Sequence, residues 1–237
     1  MQRSERVYIG GYSMKKLVAS LFFLVLLIVA QASATVITSI PGGTVIPMPV
    51  MNYFGGGPIT FGPGVTWSST NTANQGGSVF GYNLGYGFGS NGSWTGALGP
   101  MAGVNDGYEF YFVTDTMTFA FANPVAAVGG FLNYYPDFIT TPTTIAVYDS
   151  SCDPRTSACT PIESPFALTF STGGGNDSGF FYGFQESSAI ISYFTLTDNY
   201  IGITNLTTST IPEPSSLLLI GTGLVGVLGY GRRRLGL

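Results

Sequence analysis

The chain has 237 residues, of which only 8% are charged, while it contains 34 glycines and 14% aromatic residues. Soluble helical proteins carry many Lys, Glu and Arg residues on their exposed faces, so this composition argues against a helical body. Richness in Gly and aromatic residues is instead typical of short strands joined by tight turns.

Positive charge is confined almost entirely to the two ends of the chain. Between residues 35 and 211, Arg155 is the single cation against ten acidic residues, so this span has a net charge of −9. An acidic surface repels phosphate backbones, so nucleic acid is not expected as a partner. The chain has no His and this span no Lys, which excludes His-based nucleophilic catalysis, His-ligated zinc and a Schiff-base lysine.

The N-terminal segment is predicted to be a secretory signal peptide. From Met14 the sequence reads MKKLVASLFFLVLLIVAQASA: two lysines, an apolar stretch, then Ala32-Ser33-Ala34 as an A-x-A cleavage site. The secretion translocon is therefore an expected partner, and cleavage after Ala34 leaves Thr35 as the mature start. A buried or transmembrane helix is the alternative. The residues before Met14 follow no pattern, so the start codon is either Met1 or Met14.

Alternating apolar residues recur through residues 59–206 and predict short strands. No sustained helical stripe interrupts them, and turn residues separate the runs. The predicted strands are 65–67, 79–82, 108–113, 117–121, 125–132, 144–149, 166–170, 180–184, 190–196 and 200–206. This spacing predicts an all-β fold, an antiparallel β-sandwich. The expected division is 1–34 leader and signal peptide, 35–58 Pro/Gly-rich extended segment or edge strand, 59–208 sandwich and 209–237 tail.

Two tryptophans are candidates for stacking on sugar rings. Trp67 lies in a predicted strand and is expected to fill the core. Trp94 lies in the Gly-rich segment 83–105, which is predicted to be a long surface loop. Trp94 is therefore the expected site of glycan contact.

Acidic residues offer candidates for calcium binding and for catalysis. Asp106 and Asp177, in Gly/Asn-rich turns, are possible Ca²⁺ ligands, with solvated turn residues as the simpler interpretation. Asp106 and Glu109 are three apart and point to opposite faces of a strand, which is poor geometry for an acid/base pair. Glu109 and Glu186 can converge only through the fold, so no catalytic residue is predicted.

Cys152 and Cys159 enclose a Pro-containing turn after a predicted strand. In an oxidising compartment they are expected to form a disulfide that closes this loop. A redox pair is the alternative, but the spacing is not C-x-x-C.

The C-terminal tail has three ordered parts. Pro212-Glu213-Pro214 is followed by an apolar run over residues 217–230 and then by Arg232, Arg233 and Arg234. A spanning helix needs about 20 residues, and this one has 17 even from Ser215 to Gly231. We expect a short membrane helix that acts as a weak or temporary anchor, with the arginines in the cytoplasm. An ordinary C-terminal anchor is the alternative.

This tail resembles the PEP-CTERM sorting tail of Gram-negative bacteria. The resemblance implies recognition by a membrane-embedded exosortase, cleavage near the signature, an anchored intermediate in the inner membrane, and a host that makes extracellular polysaccharide. The body is similar to the jelly-roll domains of PEP-CTERM proteins, which are loosely akin to carbohydrate-binding sandwiches. That likeness rests on residues 118–130, with a turn at Asn123-Pro124, and on the closing strands 180–184 and 190–206.

These observations predict an exported, non-enzymatic protein of the cell surface or extracellular matrix. Its body is expected to be structural or adhesive, with glycan as a possible ligand. The alternative function is a secreted glycan-active enzyme that uses carboxylates.

Overall fold

The computed structural model describes residues 35–74, 76–105, 114–136 and 142–210. In these ranges the chain forms strands and one turn of 3-10 helix at Gly89–Asn91. The strands are β1 (Thr35–Ile37), β2 (Thr44–Val45), β3 (Tyr53–Phe54), β4 (Ile59–Phe61), β5 (Val65–Ser69), β6 (Val79–Tyr82), β7 (Tyr86–Gly87), β8 (Ser93–Trp94), β9 (Met101–Asn105), β10 (Asp115–Val125), β11 (Ala127–Tyr134), β12 (Thr144–Tyr148), β13 (Phe166–Ala167), β14 (Phe180–Gln185), β15 (Ile191–Asp198) and β16 (Tyr200–Ser209).

None of the described residues belongs to a helix long and apolar enough to cross a membrane. The predicted signal helix and the predicted C-terminal membrane helix both lie outside the described residues.

The strands form two large antiparallel sheets, which we call sheet A and sheet B. Sheet A has eight strands in the order β1-β14-β11-β16-β9-β6-β3, with β2 also paired to β16. Sheet B has six strands in the order β13-β12-β15-β10-β5-β4, and β7 and β8 form a separate hairpin. The predicted all-β, antiparallel architecture is confirmed.

Alternate residues of both sheets build one core, as the period-2 pattern requires. Sheet B contributes Trp67, Phe119 and Phe194, all fully buried, and the rings of Phe119 and Phe194 stack 6.5 Å apart. Sheet A contributes Phe80 and Phe184 to the same cluster. The prediction that Trp67 fills the core is confirmed, and the two sheets form a β-sandwich.

The later strands pair in a nested order. β12 pairs with β13, β11 with β14, β10 with β15 and β9 with β16. The first and third of these pairs lie in sheet B, and the second and fourth lie in sheet A. The outermost pairs of this nest, β9 with β16 and β10 with β15, therefore join strands that are far apart in sequence.

Several predicted boundaries differ from the structure. The predicted turn at Asn123-Pro124 is wrong, because both residues lie inside β10, where the pairing with β15 shifts register between Ala120 and Val125. A local irregularity absorbs the extra residues, and the chain changes sheets only after Val125. Only Phe166–Ala167 of the predicted strand 166–170 pairs. The predicted strand 108–113 lies outside the described residues.

The Pro/Gly-rich segment 35–58, predicted to be an extended segment or an edge strand, and the predicted surface loop 83–105 both contain paired strands. The Pro/Gly-rich segment 35–58 contributes β1, β2 and β3 to sheet A, with β1 and β3 at its two edges. The predicted surface loop 83–105 contains β7, β8 and β9. The loop prediction is therefore wrong.

Candidate functional site

Trp94 is buried, so the prediction of an exposed sugar-stacking ring is wrong. Its side chain is 2% exposed. The ring contacts Phe88 edge-on at 4.8 Å and stacks on Phe131 of β11 at 6.1 Å. Its Nε1 donates a hydrogen bond to the carbonyl of Ser178 at 2.7 Å.

Trp94 belongs to a second apolar cluster on the outer face of sheet A. The cluster comprises Val79, Tyr86, Phe88, Trp94 and Met101, and we call it the outer cluster. Glycine makes room for it in the sheet: a Cβ on Gly202 would lie 2.8 Å from Met101 and Phe88 and 3.0 Å from Trp94. The segment between β6 and β9 is therefore packed onto the sheet.

Asp177, a predicted calcium ligand, fastens this segment in place. Its Oδ1 accepts a hydrogen bond from the backbone N–H of Thr95 and its Oδ2 one from the Thr95 hydroxyl, both at 2.7 Å. Among the described residues, no group of three acidic or sulfur-bearing side chains converges as a metal site would require. Asp106, the other calcium candidate, lies outside the described residues.

Asn91 joins the same segment to the rest of the fold. Its Nδ2 donates to the carbonyl of Tyr134 at 3.0 Å, and its Oδ1 accepts from the N–H of Thr172 at 3.0 Å. The side chain is fully buried. Sequence reasoning missed Asn91, because its partners lie about 40 and 80 residues away along the chain.

The predicted disulfide between Cys152 and Cys159 is confirmed, with Cα atoms 5.7 Å apart. The loop that it closes holds Arg155 over the ring of Tyr193 in β15, 5.5 Å from the ring centroid. Asp153 pairs with Arg155 at 2.6 Å, and this hydrogen-bonded partner lowers the pKa of Asp153. The loop therefore positions a guanidinium against a tyrosine on the outer face of sheet B.

A shallow depression of about 300 Å³ lies beside this guanidinium. Its lining residues come from β4, β5, β10, β15 and the disulfide loop: Thr60, Gly64, Thr66, Ala120, Phe121, Ala122, Arg155 and Tyr193. The hydroxyls of Thr60 and Thr66 hydrogen-bond to each other at 3.1 Å. Sequence reasoning had singled out Arg155 by its charge alone, and only cross-strand register places the threonines beside it.

Two buried carboxyl groups have raised pKa values. Burial raises the pKa of Asp198 to about 6, although hydrogen bonds from the Thr143 hydroxyl and the N–H of Asn199 oppose the shift. Asp198 pairs across the sheet with Asp115, whose Oδ1 accepts from the Thr70 hydroxyl at 2.7 Å. These contacts make Asp198 and Asp115 parts of a structural network at one end of the sandwich.

Glu186 differs from them, because its buried Oε1 accepts no hydrogen bond from any residue that the structure describes. The side chain is 4% exposed. Burial, and next the charge of Glu163, raise the pKa of Glu186 to about 7. Glu163 is thus near enough for its charge to act on Glu186, whereas Glu109, one carboxylate that could have converged with Glu186, lies outside the described residues.

Both ends of the described body lie at the same end of the strands of sheet A. Thr35, Gln185, Ala127 and Ser209 stand abreast on β1, β14, β11 and β16. Strands are about 4.8 Å apart, so Thr35 and Ser209 are about 14 Å apart. The predicted cleavage residues Ala32 and Ala34, and the predicted sorting residues Pro212, Glu213, Pro214, Arg232, Arg233 and Arg234, lie outside the described residues.

Comparison with known proteins identifies the tail. Residues 210–234 match the model of the PEP-CTERM protein-sorting motif. No curated protein matches the chain, and no solved structure matches it. The motif implies export, sorting by an exosortase and a membrane-associated intermediate. The described residues therefore form an all-β body, and the chain carries a PEP-CTERM protein-sorting motif that begins directly after the last strand of that body.

Proposed function

We propose that this chain is a structural or adhesive protein of the cell surface or extracellular matrix. A signal peptide at residues 14–34 starts its export, and an exosortase completes its delivery. The observation that carries the proposal is the position of the sorting motif. It begins at residue 210, immediately after Ser209 ends β16, so the whole sandwich precedes it as one body.

The nested strand order supports a jelly-roll assignment for the body. The pairs β9/β16, β10/β15, β11/β14 and β12/β13 alternate between two sheets, as in a double-sheet jelly roll. This architecture suits a rigid module whose surface contacts carry the function.

A non-enzymatic role is supported by what the described acidic residues do. Asp115, Asp177 and Asp198 accept hydrogen bonds from threonines in other strands or loops. Asp149 accepts from Ser151, and Asp153 pairs with Arg155. These carboxylates stabilise turns and strand ends, which is a structural task.

We place the proposed glycan contact at the depression beside Arg155. A tyrosine, a guanidinium and two threonine hydroxyls lie together there, and the guanidinium and the hydroxyl groups can hydrogen-bond to sugar hydroxyls. The buried Trp94 has no part in this contact.

One observation favours the alternative of a carboxylate-dependent glycan-active enzyme. Burial, and next the charge of Glu163, raise the pKa of Glu186 to about 7, and a glycosidase acid likewise has a raised pKa and acts together with a second carboxylate. Its burial argues against this role, because a substrate must reach the acid.

The sorting proposal is tested by Glu213→Gln. We expect unprocessed precursor to accumulate in the inner membrane, as seen by fractionation and immunoblotting. Processing and location identical to the wild type would contradict the proposal.

The role of the body is tested with processed protein on a glycan array and a hydrolysis panel. We expect binding that Tyr193→Ala weakens and no turnover. Turnover lost in Glu186→Gln or Glu163→Gln would establish the enzyme instead.

A further inference from the structure

The end of the sandwich from which the sorting tail leaves has a distinctive surface. It consists of the β10–β11 corner, residues 122–126, and the β14–β15 loop, residues 186–190. We call it the tail-proximal end. The N–H of Ala126 donates to the carbonyl of Ser209, and the N–H of Glu186 donates to the carbonyl of Ala126, both at 2.7 Å. Both segments therefore lie beside the last residue of β16.

The spacer between this surface and the sorting signature is very short. Only Thr210 and Ile211 separate Ser209 from Pro212. Three residue steps of 3.3–3.6 Å keep the signature within about 11 Å of the end of β16. Separating the end of β16 from the sheet would lengthen the spacer, but it would break backbone hydrogen bonds. Thr207 and Thr208 pair with β11 on one side and with β2 on the other.

An enzyme that acts at the signature must therefore approach the sandwich itself. Two packed sheets lie about 10 Å apart, and the seven strands in the path of sheet A extend over about 29 Å. The signature peptide is within about 11 Å of the sandwich. An enzyme whose catalytic cleft surrounds that peptide therefore also contacts the surface of the sandwich around Ser209.

The composition of the tail-proximal end suits this contact. Its exposed residues are small or uncharged, namely Ala122, Asn123, Pro124, Ser187, Ser188, Ala189 and Ile190. Its one acidic residue, Glu186, is buried. Residues 35–211 have a net charge of −9, but neither of these two segments exposes a charged side chain. This end of the sandwich can therefore approach an anionic membrane surface without electrostatic repulsion and without desolvating a charged group.

We propose that the tail-proximal end is the surface on which the membrane-embedded processing enzyme docks while it acts on the signature. This inference rests on the proposed sorting function and adds that the folded body is part of what the enzyme recognises.

The test places a long charged side chain in this surface of the full-length chain. Asn123→Arg and Ser188→Arg lie in the two different segments, and Asn74→Arg, at an exposed asparagine between β5 and β6, is the matched control. Pulse–chase labelling in cells that process the chain measures the conversion of precursor. We expect the two tail-proximal variants to be slowed roughly threefold or more, as for charges placed in an interface, and the control to be unchanged.

A second arm inserts ten Gly/Ser residues after Thr210. The longer spacer moves the signature away from the sandwich, so we expect both slow variants to return to the wild-type rate. Wild-type conversion of both variants with the native spacer would overturn the proposal, and so would a defect that persists with the long spacer. If one variant fails to form the Cys152–Cys159 disulfide, the other decides.

Glu213→Gln separates this inference from the sorting function. We expect it to block conversion at both spacer lengths. Normal conversion of Glu213→Gln would remove the sorting function itself. A block in Glu213→Gln together with no effect of the surface variants would remove only the docking surface.

Discussion

The two sheets differ most on their outer faces. Sheet A is covered by the outer cluster, whose rings press on Gly103 and Gly202. Sheet B presents small and hydroxyl-bearing residues on the alternate positions of its strands, with two tyrosines as the large side chains. These positions are Thr60, Thr66, Ser68, Thr116, Thr118, Ala120, Thr144, Ala146, Tyr148, Tyr193, Thr195 and Thr197.

The difference shows that the same alternation of residues can leave one outer face open and cover another with a second apolar cluster. On sheet B, alternate residues place apolar side chains in the core and mainly hydroxyl-bearing or small side chains on the outer face. On sheet A, glycine replaces side chains on the outer face, so that a separate segment can pack there. The outer face of sheet A is therefore a packing surface. The outer face of sheet B carries the depression beside Arg155.

The largest expected effect comes from Trp94→Ala. Removing a fully packed aromatic ring leaves a cavity, so we expect a loss of about 3–5 kcal/mol in the free energy of unfolding, measured by urea denaturation. A loss below about 1 kcal/mol would show that the outer cluster contributes little.

Opening the disulfide should have the next largest effect. Replacing both Cys152 and Cys159 with Ser frees a loop with a sequence separation of 7, for which we expect a cost of about 2.5 kcal/mol or less. Denaturation with and without reductant checks this. Trp94→Ala should lower the free energy of unfolding by the same amount whether the disulfide is closed or reduced. Unequal losses would show that the two outer faces are coupled.

Gly202→Ala tests whether glycine is required under the outer cluster. The added methyl must displace Phe88, Met101 or Trp94, so we expect a loss of about 2 kcal/mol. Gly87→Ala is the matched control, because a Cβ there meets nothing within 4 Å. Equal stability of the two variants would contradict the close packing on sheet A.

Stability should fall as pH rises from about 5 to 8, through an effect located at neither outer face. Folding raises the pKa of Glu186 to about 7 and that of Asp198 to about 6. The folded state therefore binds more protons than the unfolded state in this window, and the stabilisation is lost as pH passes the raised values.

Glu186→Gln should flatten this profile, with a gain of about 1–2 kcal/mol over the wild type at pH 8. Denaturation at pH 5 and pH 8 measures the difference. A profile as steep as that of the wild type would contradict the assignment to Glu186.

The smallest expected effect is that of Thr66→Ala on the outer face of sheet B. It removes one hydroxyl that bonds Thr60 at an exposed position, so we expect a change within about 0.5 kcal/mol. A loss above about 2 kcal/mol, measured by the same denaturation, would show that this face is a packing surface too.

Features with a local pattern were predicted well. Alternation located β5, β10, β15 and β16 to within a few residues, and Trp67 was correctly placed in the core. Cysteine spacing predicted the disulfide loop. The order of signature, apolar run and arginines predicted the PEP-CTERM tail.

Features that depend on distant partners were missed. The residues next to Trp94 in the sequence are typical of a surface loop, yet the Trp94 side chain contacts Phe131 and Ser178. Asn123-Pro124 is an ordinary turn signal, but β10 continues through it to Val125, which pairs with Ile191 of β15 after the register shift. The association of Glu186 with Glu163 likewise had no local signal.

The fold class, the sorting tail and the acidic, histidine-free chemistry of the body could be predicted before folding was considered, because each is a property of composition or of short ordered motifs. Which side chains meet became known from the folded structure alone. It buried Trp94, placed Arg155 over Tyr193, left Oε1 of Glu186 without a hydrogen bond from any described residue, and brought Thr35 and Ser209 to the same end of sheet A. The physical reason is that cross-strand register in a nested sandwich joins residues far apart along the chain, and local patterns carry no record of that register.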